Sequence, residues 1–90
     1  NASTRELLIT SPCSFDEIRS TLDKLGCTVN DNSTNLIEAS LVTNSGLVSI
    51  SIFLTFSDND TTTTLKLLRG KGDILAYNAF QAKLVAALKS

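Results

Sequence analysis

The chain contains no histidine, no tryptophan and no methionine, one proline and only two cysteines. Without imidazole there is no histidine-based acid–base catalysis and no imidazole metal site. Cys13 and Cys27, with no histidine to join them, do not make a zinc site, and two thiols cannot scaffold a small disulfide-rich fold. Cys27 is expected to pack in the core at the start of a strand, and Cys13, beside Pro12, to be an inert, partly exposed thiol. Charge of one sign is scarce too. Eight Lys and Arg against nine Asp and Glu give a net charge of −1, which supplies no global field for nucleic acid or an acidic bilayer, so any anion binding must be local. No secretory signal and no membrane-length apolar run is present. Together with the thiol usage this predicts an intracellular setting, cytoplasmic or nuclear, at most peripheral to a membrane.

What is there is ordinary globular material. At 90 residues, 42% apolar and 19% charged, the chain has room for one core and one domain over 1–90. Asn1-Ala2 reads as a cloning remnant, with the domain starting near Ser3 or Thr4. Residues 5–9, RELLI, form a short apolar run stopped by Ser11-Pro12 and predict an edge strand. In SFDEIRSTLDKLG, Ser14 and Glu17 have capping-box spacing, and Phe15, Ile18, Leu22 and Leu25 share a helical face. Asp16, Glu17 and Lys24 complement the dipole and Gly26 stops the helix, which runs from about Ser14 to Leu25.

From Cys27 to Leu68 the period is two. Cys27 and Val29 open a strand, Asn30 to Asn35 reads as a turn, and Ile37, Ala39 and Leu41 alternate up to a second turn at Asn44-Ser45-Gly46. In LVSISIFLTFSD, Val48, Ile50, Ile52, Leu54 and Phe56 point to the core, and Ser49, Ser51, Phe53 and Thr55 point away. A turn at Ser57 to Asp60 precedes a last strand through Thr61 to Thr64, Leu65 and Leu67. A second helix starts at Asp73, with Tyr77, Phe80, Leu84 and Leu88 in one stripe. Two amphipathic helices and a single-faced sheet imply an α+β two-layer sandwich, an antiparallel four- or five-stranded sheet with both helices on one face.

Candidate chemistry is thin. The triplets beginning at Asn32 and Asn59 match a glycosylation acceptor but read as turns, and Asp58, Asn59 and Asp60 lack the glycine and bidentate glutamate of a calcium loop. Phe53 alone on an outer face, with no basic track beside it, argues against nucleic-acid binding. In Arg69-Gly70-Lys71-Gly72-Asp73, Gly-Asp stands where a nucleotide-binding loop has Ser or Thr after the lysine, so the segment reads as a strand-to-helix corner. No cofactor and no catalytic residue is expected.

The run Leu67 to Tyr77, followed by Phe80 and Leu84, resembles the closing motif of kinase-associated-1 domains, C-terminal regulatory modules of Ser/Thr protein kinases of the AMP-activated, microtubule-affinity-regulating and checkpoint effector types. Phe15, Ile18, Leu22, Leu25 and Gly26 are similar to the family's first helix, and Thr4-Arg5 to the opening of the checkpoint version. The resemblance spans almost the whole chain, with the RGKGD segment its only specific part. It implies a non-catalytic domain that docks on its own kinase domain or a regulatory protein and holds the kinase inactive. The alternatives it implies are recruitment to an anionic phospholipid surface and subunit assembly. By position, Arg69 and Lys71 match the family's basic motif, with Lys66 one strand step away and Arg5 joining only if the first strand lies nearby.

Leu68 stands where many members carry a second cation, and three or four local cations at about 1 kcal/mol each would give only weak, salt-sensitive lipid binding. Docking therefore ranks first, lipid binding second. Phe53, Leu47 and Leu68 are the candidate apolar contacts, and the isolated domain is expected to be a monomer.

Overall fold

The structure, a computed structural model, describes residues 5–59 and 61–89, with the side chains of residues 31 and 32 outside the description. The expectations for Asn1 to Thr4 and for Asp60 fall outside it. In chain order the elements are β1 (Glu6–Ser11), α1 (Phe15–Lys24), β2 (Thr28–Ser33), β3 (Leu36–Thr43), β4 (Gly46–Phe56), β5 (Thr63–Arg69) and α2 (Ile74–Leu88). All five strands join one antiparallel sheet in the order β1-β5-β4-β3-β2. Successive hairpins carry β2 through β5, and β5 then closes against β1, so both ends of α1 lead from edge strands.

Local chemistry explains why the helices begin where they do. Ser14 Oγ accepts the Glu17 N–H at 3.2 Å while Glu17 Oε1 accepts the Ser14 N–H at 2.8 Å, a complete capping box. The Ser14 N–H, and after it the Ser14 hydroxyl, favour the Glu17 carboxylate and hold its pKa below the usual value. Asp73 Oδ1 accepts the Ala76 N–H at 2.8 Å and starts α2 in the same way. Gly26 ends the first helical segment at φ 93°, a conformation that favours glycine.

The core lies between the helices and one sheet face. Ile18 and Leu22 of α1 and Tyr77, Phe80, Leu84 and Leu88 of α2 pack with Ile37, Val48, Ile50, Ile52, Leu54, Leu65 and Leu67. Both helices are on the same face. Cys27 is buried in this core and Cys13 is half-buried, both free thiols. Burial raises the Cys27 thiol pKa.

Three boundaries and one burial differ from the sequence reading. β1 runs on to Ser11, because Ser11 is fully buried and satisfied: its hydroxyl accepts the Cys13 N–H at 3.0 Å and donates to the Leu88 carbonyl at 2.5 Å, tying the end of α2 to the first corner. β2 continues through Asn30 to Ser33, with a register shift between Asp31 and Ser33, so the turn narrows to Thr34-Asn35. A bulge lets polar turn-formers remain in an edge strand. Phe56 has the parity of the core face but sits at the strand end, beyond the helices, and is exposed. Thr61 and Thr62 precede the last strand, which begins at Thr63. Thr61 is held there by N–H bonds to Ser57 Oγ and Asn59 Oδ1.

Ser11→Ala should lower unfolding stability by about 1–3 kcal/mol, because it leaves the Cys13 amide without its acceptor and the Leu88 carbonyl with only the weak Cys13 Sγ contact at 3.7 Å. Thr10→Ala, one residue earlier on the solvent face, should be near neutral in the same urea titration.

Candidate functional site: a bare sheet face and a basic corner

With both helices on one side, the second face of the sheet is left to solvent. Strand alternation places Leu8 of β1, Lys66 of β5, Phe53 of β4 and Leu36 of β3 on it, and the registers Leu8↔Lys66, Phe53↔Lys66 and Leu36↔Phe53 align them in one row across four strands. Leu8 is 68% exposed and Phe53 41%, while Leu36 is half-buried. Lys66 Nζ lies 5.5 Å from the Phe53 ring centroid and 3.7 Å from Glu6 Oε1. The row is therefore apolar at both ends and carries a cation resting on an aromatic face in the middle.

Leu68 sits diagonally from Phe53, paired with Ser51 on the same face, and is half-buried. Phe53 and Leu68 thus belong to one patch. Leu47 does not join it. It pairs with Val42 at the far end of β4, separated from Phe53 by Ser49 and Ser51. Between the two ends lies a shallow trough of about 490 Å³, whose lining includes Thr28, Ala39, Ser49, Ile50, Ser51 and Lys71. Leu8 and Leu36 were missed from sequence. The alternation within RELLI puts Leu8 opposite in parity to Leu7 and Ile9, and that was the available signal; Leu36 needed the register.

The four candidate cations divide. β1 pairs with β5, and at the last residue of β5 the Arg69 N–H reaches the carbonyl of Arg5, just ahead of β1, at 2.9 Å while Arg5 Nη2 donates to the Arg69 carbonyl at 2.8 Å. Arg5 and Arg69 are therefore neighbours. Arg69 has the parity of the helix side, where its charge partly offsets the effect of burial on Tyr77, whose pKa is pushed up to about 12. The Tyr77 hydroxyl donates to Gln81 Oε1 at 2.8 Å. Lys71 stands in the turn that follows, and Lys66 points from the opposite face of the sheet, paired with Glu6.

The turn itself is a clamp. The Gly70 N–H donates to the Ser49 carbonyl and the Asp73 N–H to the Leu47 carbonyl, both at 2.8 Å. The two glycines serve different ends. Gly72 has φ 136°, and a Cβ there would lie 2.2 Å from the Leu47 carbonyl oxygen; Gly70 has no left-handed φ but would bring a Cβ within 2.9 Å of Ser49 Cβ. Of the two glycines in the corner, only Gly72 uses the left-handed freedom that glycine allows. With Asp73 capping α2, a carboxylate occupies the place where a phosphate would sit.

Among the described residues no His, Cys, Asp and Glu cluster could hold a metal ion, and no helix is long and apolar enough to cross a membrane. No protein-family model and no curated protein matches the chain.

Gly72→Ala should destabilise the fold by about 3 kcal/mol or more, since it adds a backbone clash to a strained φ. Lys71→Ala, at an exposed position of the same turn, should change the thermal midpoint little.

Proposed function

We propose that this chain is a non-catalytic regulatory domain of the kinase-associated-1 type, which docks through its bare sheet face on the kinase domain of its own polypeptide and restrains it. The observation that carries this reading is the four-strand row of Leu8, Lys66, Phe53 and Leu36. An aromatic flanked by aliphatic side chains on a rigid sheet can supply anchors for a protein surface. The sequence resemblance supplies the identity of the partner.

One feature favours a second reading, recruitment to anionic phospholipid. Arg5 does lie beside Arg69, and Lys71 follows two residues later, with Ile74 and Leu75 exposed at the start of α2. Three cations at about 1 kcal/mol each remain a small attraction, and the outer-face cation, Lys66, already has Glu6 and Phe53 as partners.

The domain added in trans to the catalytic domain of the kinase that carries it should inhibit phosphotransfer, and Leu8→Asp combined with Phe53→Ala should raise the inhibitory concentration about tenfold or more. Inhibition unchanged by that pair would overturn docking through this face. Binding to phosphatidylserine and phosphoinositide vesicles at physiological salt, lost in Arg69→Glu with Lys71→Glu, would put the membrane reading first.

A further inference from the structure

β1 lies at one edge of the sheet, with a neighbouring strand on one side only. In an antiparallel ladder each residue turns both backbone groups to the same neighbour, and successive residues alternate. The bonds Ser57 N–H to Thr62 carbonyl and Gly70 N–H to Ser49 carbonyl give the even-numbered residues of β5 to β4. Its odd-numbered residues therefore face β1, in agreement with the bond from Arg69 N–H to the Arg5 carbonyl. Carried through the register, Leu7, Ile9 and Ser11 bond inward to Leu67, Leu65 and Thr63. Glu6, Leu8 and Thr10 then direct their N–H and C=O groups out of the sheet.

Such an edge is a template for another strand unless it is blunted by proline, lysine or a bulge. The two edges of this sheet differ in that respect. β2 is polar and bears the irregularity at Asp31/Ser33. β1 runs unbroken through ELLITS, with no proline, lysine or register shift, and presents Leu8 at 68% exposure.

We infer that β1 pairs with β1 of a second copy of this chain, antiparallel about a two-fold axis at Leu8, joining two five-stranded sheets into one. The sequence of the strand is self-complementary in that register. Leu8 meets Leu8 of the second copy, and Glu6 meets Thr10 in both directions, so every outward-facing residue exchanges both of its hydrogen bonds. Shifting the register by two residues either way leaves one of these pairs unmade. No like charges stand opposed. On the helix side the half-buried Leu7 falls against Ile9 of the second copy, and on the outer side the row of Leu36, Phe53, Lys66 and Leu8 continues into its own two-fold image. This symmetric interface is isologous and closed, so it ends at two copies. It goes beyond the docking proposal and does not depend on it, and it differs from the monomer expected from sequence.

The test is sedimentation equilibrium of the full 90-residue chain from micromolar to near-millimolar concentration, on wild type, Thr10→Pro and Leu8→Lys. Proline at residue 10 removes an N–H that points outward and so costs no bond within the sheet; lysine at residue 8 sets two ammonium groups face to face at the axis. Circular dichroism checks the fold of each. Wild type should reach the dimer mass at high concentration, and each folded variant should stay monomeric there. If one variant unfolds, the other decides. A wild type that stays monomeric throughout the range overturns the inference, and so does a dimer that persists in a folded variant, because it would then form through another surface.

Discussion

The Leu47 carbonyl, accepting the Asp73 N–H at 2.8 Å with Gly72 pressed against it, is the contact on which the two-layer arrangement depends. It stops β5 from running on as a strand and turns the chain into α2 over β4. It also holds the N-cap of that helix beside the β3–β4 turn, where a Cβ on Gly46 would lie 2.9 Å from Asp73 Cβ. Once α2 is set there, Tyr77, Phe80, Leu84 and Leu88 fall on the inner sheet face, and α1 completes the layer. Among the described residues no helix covers the opposite face. A corner with no chemistry of its own thus decides which surface of the molecule remains available.

How far this was legible in the sequence depends on the range of the interactions concerned. Both helices carry their instructions locally, in Ser14 with Glu17, in Asp73 with Ala76, and in the 3.6-residue spacing of their apolar side chains. The central strands announce themselves by strict alternation. Strand ends were harder. Asn30 to Ser33 is composed of turn-formers, yet pairing with β3 keeps it extended, a tertiary effect overriding local preference. Ser11 looked like the start of a stop signal and proved to be a buried tie to the far end of the chain. Phe56 obeyed parity but lay where the helix layer had ended.

The candidate surfaces show the same division. Phe53 could be assigned to the outer face from β4 alone, whereas its alignment with Leu8, Lys66 and Leu36 is a property of three registers between strands far apart in sequence. The proximity of Arg5 to Arg69 likewise follows from β1 closing on β5, which no local pattern announces. Lys66 was grouped with those arginines by sequence distance, and the alternation of β5 turns it to the other side. Charge and apolar area are thereby separated into an outer row and an end corner, and they can be tested apart.

Native-state hydrogen exchange read at single amides tests the central role of the corner most directly. The amides of Gly70 and Asp73 should be as protected as that of Ile52 in the middle of the sheet, exchanging only when the whole domain unfolds. Exchange of these two amides at the rate of an exposed loop, while Ile52 stays protected, would mean that the corner opens by itself. The placement of α2, and with it the bare face, would then rest on the core packing alone.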